Sequence, residues 1–285
     1  MQSLWMVVAG LLFACMGVCV KLGSAQFSAA ELVFYRGFVA LLLMLAYVRF
    51  AGLSLRTPHW RVHLLRGGSG FISLLMYFYA ISAIPLATAV TLNYTSPLFL
   101  ALLLAFWRRQ RVRPLLFAAV VAGFVGVALL LQPSLHSEEI AGGLFGLASG
   151  IIASVAYLNV TRLGELGEPE WRTVFYFSLI STVGGLFWTL AGHPFHTIDG
   201  RGGWLLVGVG TFGALAQLCM TRAYRRGKTM VSASLAYSTV VFASIYGIWL
   251  GQDRLSPTAW IGIGLIVASG MLTSALSRAA PAEQD

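Results

Sequence analysis

Charged residues are scarce in this chain, and acidic residues are fewer than basic ones. Of 285 residues, 10% are charged, only 10 are Asp or Glu and 58% are hydrophobic, with a mean hydropathy of +0.80. A chain with so few polar side chains cannot cover its surface in water, and its apolar runs of about twenty residues match the thickness of a bilayer. The composition therefore excludes a water-soluble globular protein and predicts one that crosses the membrane many times.

Cysteine is also sparse, and acidic clusters are missing. Eight of the ten acidic residues fall in predicted loops or tails, and only Glu31 and Asp253 border a predicted span. The sequence therefore predicts no disulfide framework, no metal site and no cofactor. The cysteines lie inside apolar runs, where we expect them to act as small packing residues: Cys15, Cys19 and Cys219.

The histidines are poorly placed for catalysis. All five fall in predicted loops: His59, His63, His136, His193 and His196. Gly67-Gly68-Ser69-Gly70 matches the G-x-S-G of rhomboid-type intramembrane proteases, but a serine nucleophile needs a base within reach, usually His. We therefore expect a protein that is not an enzyme and interpret these glycines as close-packing residues.

Ten apolar runs have membrane-spanning length. They are 3–22, 29–48, 64–84, 86–107, 114–132, 140–160, 172–191, 203–222, 229–250 and 257–277. Helices satisfy their own backbone polar groups in lipid, whereas a β-barrel needs alternating segments of about ten residues, which this sequence lacks. The first run has no basic region before it, so we expect it to be retained rather than cleaved as a signal peptide. The expected fold is an all-α polytopic membrane protein with ten transmembrane helices.

The net charge of +9 is distributed unevenly along the chain. With the N-terminus in the cytoplasm, fifteen of the nineteen basic residues fall in cytoplasmic segments, Arg61, Arg66 and Arg226 among them. Three fall on the other side, and Arg36 is left inside a helix. Because Lys and Arg concentrate in cytoplasmic loops, the pattern predicts cytoplasmic termini and contact with the lipid bilayer rather than nucleic acid.

Parts of the sequence occur twice. Sliding the chain by 143 positions places Tyr94 on Tyr237, and a slide of 141 places the Val-Phe-Tyr of residues 33–35 on that of residues 174–176. Several matches at nearly one offset indicate an internal structural repeat.

The repeat divides the chain into residues 1–135 and 136–285. Each half holds five predicted spans, an odd number, so the second half must cross the membrane in the opposite sense to the first. Inverted repeats of this kind are typical of transporters that bind their solute near the midplane between the halves.

The fourth and ninth predicted spans carry unusually many polar side chains. Polar groups in lipid cost free energy unless they find partners or water, so these faces should point inward. Pro97 should also free a backbone carbonyl one turn earlier, close to Asn93. Each hydroxyl taken singly is explained by ordinary interhelical hydrogen bonding, whereas Asn93 and the two tyrosines together favour a solute-facing role. The candidate contacts are Thr91, Asn93, Tyr94, Ser234 and Tyr237.

Four further residues join the candidate solute-binding site. Arg36 is costly in lipid unless it is paired, hydrated or close to the membrane surface, and it either binds a solute carboxylate or supports packing. Tyr157 and Gln217 are polar groups deep within predicted spans. Tyr77 and Tyr79 lie on different faces of one helix, so only one should reach a central cavity; Tyr79 is the one assigned to its wall.

Two local patterns predict structure rather than solute contact. Ser28 and Glu31 have the spacing of a capping box at the start of the second span. Gly142, Gly146 and Gly150 lie four residues apart, which favours close helix packing within the chain or in a dimer.

Taken together, these features resemble the EamA-type branch of the drug/metabolite transporter superfamily. The resemblance rests on the two inverted five-span halves, Arg36 in the second span, the short Ala83-Ile84-Pro85 link, the small and polar residues before Pro97, and their echo around Tyr237. It covers nearly the whole chain.

The resemblance implies a bundle with a central cavity lined mainly by spans one, three, four, six, eight and nine. It implies movement, often export, of amino acids, other metabolites or drugs across a bacterial inner membrane. We expect the protein to be a monomer or a homodimer. A multidrug or nucleoside-like metabolite carrier is the alternative, and a non-transporting scaffold is a third possibility.

Overall fold

In the computed structural model, helices joined by loops and turns make up the described part of the chain, which contains no β-strand. The described residues are 2–107, 118, 121–123, 125–126, 129, 137–192, 195–227, 229–250 and 256–278. After a 3₁₀ turn, Gln2–Leu4, the helices are α1 (Trp5–Gly23), α2 (Ala29–Phe50), α3 (Trp60–Ala83), α4 (Leu86–Asn93), α5 (Ser96–Trp107), α6 (Ser137–Glu165), α7 (Glu170–Gly192), α8 (Gly200–Arg226), α9 (Thr229–Leu235), α10 (Ser238–Trp249) and α11 (Pro257–Arg278).

Eight helical segments in the described ranges are long and apolar enough to cross a membrane, and Trp260–Ser269 within α11 is a shorter apolar helix. Two of the eight, Leu86–Leu103 and Val231–Trp249, each combine two consecutive helices. The predicted fifth run, 114–132, lies mostly outside the described residues. The expected all-α polytopic membrane fold is confirmed.

The fourth and ninth predicted spans are interrupted near their centres. The fourth breaks between α4 and α5 at Tyr94 and Thr95, and the ninth breaks between α9 and α10 next to Tyr237. Pro97 explains the first break, because it has no N–H to donate to the carbonyl of Asn93. The structure thus interrupts the two repeated spans beside the two tyrosines that the sequence alignment pairs.

Glycine allows a neighbouring helix to approach each break. A Cβ on Gly150 of α6 would lie 2.8 Å from the backbone oxygen of Leu92 and 2.6 Å from Thr95 Oγ1. On the other side, a Cβ on Gly10 of α1 would lie 2.6 Å from Ser238 Oγ. The prediction of close packing by the α6 glycines is confirmed within the chain itself, since Gly142 and Gly146 also contact α3 and α4 or the link between them.

The helices pack in matching pairs between the two halves. α3 packs along α6 as α1 packs along α8, and α2 contacts α8 as α3 contacts α7. α1 contacts α10 as α5 contacts α6, and α2 packs directly along α7. When the first five predicted spans are exchanged with the second five, the two contacts of each matched pair are interchanged and the α2–α7 contact maps onto itself. Helices of residues 1–135 therefore pack mainly against helices of residues 136–285.

One end of the α2–α7 pair is held by Glu31. The predicted capping box is confirmed: the Ser28 side chain accepts from the Glu31 backbone, and the Glu31 carboxylate accepts from Ser28 N at 2.8 Å. The same carboxylate also accepts from His196 N at 2.7 Å and lies 2.8 Å from His196 Nδ1. Glu31 therefore joins the start of α2 to the loop that follows α7.

The other end of the pair is held by Glu168, which lies in the short loop between α6 and α7. Its carboxylate accepts hydrogen bonds from Thr57 and, at 2.8 Å, from Arg172, and it lies 3.5 Å from His63 Nε2. Burial raises the pKa of Glu168, but the hydrogen bonds and the positive charge of Arg172 bring that pKa below its ordinary value. His63 was expected in a loop; instead α3 begins at Trp60, and His63 is buried beside Tyr176.

Candidate functional site

A small cavity of about 50 Å³, with polar and apolar groups in its wall, lies between the two halves of the helical bundle. Its wall comes from α1, α2, α3, α6, α7, α8 and the α4–α5 break. Compared with the helices expected from the family resemblance, α2 and α7 are additions. The lining residues are Phe13, Met16, Arg36, Arg66, Gly70, Ser73, Leu74, Tyr77, Asn93, Tyr94, Ala153, Ala156, Tyr157, Phe177 and Gln217.

Arg36 projects from the middle of α2 into this cavity and is only 1% exposed. Its Nε donates to Met16 Sδ at 3.4 Å, and its Cζ lies 5.0 Å from the centroid of the Phe177 ring. Gly213 of α8 makes the room, since a Cβ there would lie 3.0 Å from Arg36 Nε. A sulfur atom and an aromatic face are weak partners for a guanidinium, so packing alone does not account for its charge.

Arg66 is a second buried cation, which the sequence analysis placed in a cytoplasmic segment. It lies on α3, is 2% exposed, and its Nη2 donates to Gln217 Oε1 at 2.9 Å. Its Cζ lies 4.1 Å from the Phe177 centroid. Gly70, one turn later, permits this inward course, because a Cβ there would lie 2.3 Å from Arg66 Nη1.

The placement of Arg66 is therefore corrected. The predicted third span began at residue 64, where a long basic side chain can reach the membrane surface, but α3 extends back to Trp60. Gly70 at the i+4 position is the sequence feature that allows Arg66 to turn inward.

Neither cation has a carboxylate partner within the part of the chain that the structure describes. The ion pairs there involve Glu31, Glu168 and Glu170, with histidines or with arginines other than these two. Removing an ion from water costs several kcal/mol even after the protein relaxes around it. A good cation–π contact offsets only about 2 kcal/mol of that cost. The cavity thus holds two positive charges that the described structure leaves largely uncompensated.

Polar and aromatic groups complete the wall. Asn93 Nδ2 donates to Ser149 Oγ at 2.8 Å, which fixes the amide at the end of α4. Tyr157 stacks on Tyr224, with ring centroids 5.5 Å apart. Among the described residues no group of three or more His, Cys, Asp or Glu side chains is placed to hold a metal ion. The arrangement is suited to binding an organic anion.

The structure brings five of the nine candidate residues to this cavity. They are Arg36, Asn93, Tyr94, Tyr157 and Gln217. Thr91 is buried, but its hydroxyl donates to Ala87 O at 2.6 Å. This hydrogen bond lies within α4, so it is neither a solute contact nor the interhelical bond that the sequence also allowed. Tyr237 is 2% exposed in the apolar core, and its hydroxyl has no hydrogen-bond partner among the described residues. The side chain of Ser234 lies outside the described part of the structure.

Tyr79 lies at a different pocket. This side pocket has a volume of about 440 Å³ and is lined mostly by apolar side chains. It opens at the surface of the bundle beside Phe145 and Trp188, which are 41% and 61% exposed. Tyr77 occupies the central wall instead, because two residues rotate a helix by about 200°. The expected position of Tyr79 in that wall is thus corrected, and Tyr77, Ser73, Phe177 and Arg66 are lining residues that the candidate set omitted.

Over most of its length, the chain is similar in sequence to known transporters. The pseudopaline exporter of Pseudomonas aeruginosa (strain UCBPP-PA14) is 30% identical over 274 residues, which cover 95% of this chain and 94% of the exporter. The riboflavin transporter of Vibrio cholerae serotype O1 is 29% identical over 280 residues, covering 94% and 90%. The S-adenosylmethionine uptake transporter of Rickettsia felis is 22% identical over 264 residues, covering 92% and 88%.

The fold has also been seen by crystallography. A crystal structure with 21% sequence identity matches with a TM-score of 0.73 over 97% of both chains. Residues 1–132 and 140–275 match the EamA-like transporter family. The chain belongs to this family, and so to the drug/metabolite transporter superfamily.

Proposed function

We propose that the protein is a secondary transporter that exports a small organic solute, an amino acid or a related metabolite, across the bacterial inner membrane. The observation that carries the proposal is the cavity between the halves, where Arg36 and Arg66 lie without a carboxylate partner in the described structure. A buried charge of this kind marks a solute pathway in a membrane protein. The relatives named above include an exporter and an uptake transporter, so export is the finer part of the proposal.

The proposed mechanism is alternating access between two inverted repeats, residues 1–135 and 136–285. The interruptions beside Tyr94 and Tyr237 support it, because broken helices at repeat-related positions are typical of transporters whose two halves move around a central site. The binding residues would be those that line the cavity, with Tyr237 and Ser234 entering as the second broken span moves.

Counterflow in proteoliposomes tests the transport proposal. Vesicles containing only this protein are loaded with one unlabelled solute from a panel of amino acids, nucleosides and amphipathic cations, and uptake of the labelled solute is followed. Transient accumulation of a panel member above equilibrium is the expected result. No accumulation of any member by protein that remains monodisperse would favour the scaffold alternative.

The proposed orientation places both termini and the loops around Arg61, Arg111 and Arg226 in the cytoplasm. Single cysteines introduced into these loops should resist an impermeant thiol reagent in intact cells and react after lysis. Labelling of the Arg226 loop but not the Arg61 loop in intact cells would contradict the inverted repeat.

A multidrug carrier is the second candidate, and the side pocket favours it. Its apolar wall opens at the bundle surface, where an amphipathic compound can enter from lipid. In the counterflow panel, accumulation of amphipathic cations without any amino acid would support this alternative over the first.

A further inference from the structure

The two buried arginines converge on one aromatic ring. Arg36 Cζ and Arg66 Cζ lie 5.0 and 4.1 Å from the centroid of Phe177. The two Cζ atoms can therefore be no more than about 9 Å apart, a distance at which like charges repel strongly in a low-dielectric interior. A charge-neutral resting arrangement needs negative charge between or beside them.

The acidic side chains of the described chain are committed elsewhere. Glu31 binds His196, Glu168 binds Arg172, Glu170 binds Arg225 and Arg226, and Asp199 caps α8 through Gly202 N. Among the remaining acids whose side chains the structure describes, Glu139 and Glu165 are exposed. The negative charge that these arginines lack is thus best supplied by something that enters the cavity.

Hydrogen-bond donors remain open on both arginines. Nε of Arg66 is buried without a partner among the described residues, and Gln217 accepts from Nη2 alone. The only hydrogen bond that the described structure gives Arg36 goes to the sulfur of Met16. Each guanidinium carries five N–H donors in a fork that matches a carboxylate, so each can take one carboxylate of its own.

We propose that the solute of the central cavity carries two separate acidic groups, one held by Arg36 and the other by Arg66. The inference rests on the proposed transport function and narrows its substrate class to organic dianions. A monoanion would leave one of the two positive charges uncompensated, whereas two carboxylates on a short carbon chain span the distance between the guanidinium groups.

The two halves of the chain contribute different groups to the site. The slide of 141 positions that aligns the Val-Phe-Tyr triplets places Arg36 on Phe177, so a cation in the first half and an aromatic ring in the second occupy matching positions and face one another. Both arginines come from the first half, while the second half supplies Phe177, Tyr157 and Gln217. The first half also contributes the rings of Phe13, Tyr77 and Tyr94, so the carbon skeleton of the dianion packs against aromatic groups from both halves.

Binding of simple dicarboxylates to the purified full-length protein tests this inference. Thermal unfolding is followed in detergent at constant ionic strength against increasing succinate or glutarate, each matched with the monocarboxylate of the same carbon number, butyrate or valerate. We expect half-saturation by the dicarboxylate at a concentration at least about tenfold lower, equivalent to one additional charge-assisted contact of about 1.4 kcal/mol. Putrescine, a diamine, should not bind, and glycerol phosphate, whose two charges lie on one phosphate, should bind less tightly than glutarate.

Substitutions assign the preference to the two arginines. Arg36→Gln and Arg66→Gln should each bring the half-saturation ratio of dicarboxylate to monocarboxylate close to one. Arg61→Gln is the matched control, because Arg61 also lies over an aromatic ring, at 5.4 Å from Trp60, but on the exposed part of α3. Arg36→Lys and Arg66→Lys, which keep the charge but lose the fork, should give intermediate ratios.

The wild-type measurement decides the question even if a variant fails to fold. Equal half-saturation by dicarboxylates and monocarboxylates, tighter binding of glycerol phosphate than of glutarate, or a preference that survives both Gln substitutions would overturn the inference. Counterflow of a neutral or cationic solute that dicarboxylates do not inhibit would contradict the dianion inference but support the transport function. Saturable dicarboxylate binding without flux of any solute would support dianion binding but contradict the transport function.

Discussion

Two pockets lie on opposite faces of α3, and the charged side chains in them differ in their partners. The central cavity holds Arg36 and Arg66 beside an aromatic ring, with no carboxylate partner in the described structure. The side pocket contains one charged group, Glu31, whose oxygens accept from two backbone N–H groups and contact His196. The fold itself supplies partners for the charge in the side pocket, whereas the two charges in the central cavity have no carboxylate partner among the described residues. This difference in partners is the basis for proposing a structural role for Glu31 and a solute-binding role for the two arginines.

The largest difference in transport rate is expected between two variants that each neutralise one charge, Arg66 in the central cavity and Glu31 in the side pocket. Arg66→Gln should lower the rate of counterflow at subsaturating solute by about 10–100-fold, because hydrogen bonds to a charged group are worth about 1.5–3 kcal/mol. Glu31→Gln should change that rate less than about threefold, since its carboxylate serves the α2 cap rather than the solute. Similar losses of flux in the two variants, at equal protein levels, would contradict the distinction.

A backbone test compares a glycine packed against the α4–α5 break with a glycine of the side pocket. Gly150→Ala places a Cβ 2.8 and 2.9 Å from the backbone oxygens of Leu92 and Asn93, beside the central cavity, and should destabilise the protein by about 1–3 kcal/mol. Gly192→Ala in the side pocket meets no atom within 4 Å and should leave stability nearly unchanged or raise it. Thermal unfolding of both variants provides the measurement; an unchanged midpoint for Gly150→Ala would mean that the α4–α5 break shifts freely.

The neighbouring tyrosines of α3 offer a matched pair within one helix. Tyr77→Ala should raise the half-saturating solute concentration about tenfold, because Tyr77 lies in the central wall and an aromatic contact is worth about 0.5–1.5 kcal/mol beyond its buried area. Tyr79→Ala removes a ring that packs on Phe145 in the side pocket and should leave solute binding unchanged. The opposite ranking would place the solute in the side pocket and favour the multidrug alternative.

The smallest effect is expected at the far end of the α2–α7 pair, opposite Glu31. Thr57→Val removes the hydrogen bond to Glu168 and the one that Thr57 Oγ1 accepts from His59 N, and it should lower stability at neutral pH by about 1 kcal/mol or more. Because the pKa of Glu168 is depressed in the folded protein, its contribution is present above the ordinary carboxyl pKa and is lost as the pH falls through the depressed one. The difference in unfolding midpoint between variant and wild type should therefore shrink on acidification, and a difference independent of pH would exclude the Glu168 hydrogen bond as its cause.

The sequence by itself determined which segments are helical and several features of their packing. Long apolar runs specify helices in lipid, because no other open structure satisfies its backbone there. The capping box of Ser28 and Glu31 and the close approach of Gly142, Gly146 and Gly150 follow from spacing along a single helix. These predictions are confirmed because they depend on neighbours in sequence.

Only the tertiary structure decided which polar groups share a cavity. Tyr77 and Tyr79 are equivalent in composition, and the helices packed around α3 determine which of them points to the centre. The sequence predicts Arg66 at the cytoplasmic end of the third span, where a long cation is free to reach water, but its burial depends on Gly70, Phe177 and Gln217. Whether a charged side chain is paired depends on the distances between helices. The hydropathy of a single helix does not give those distances.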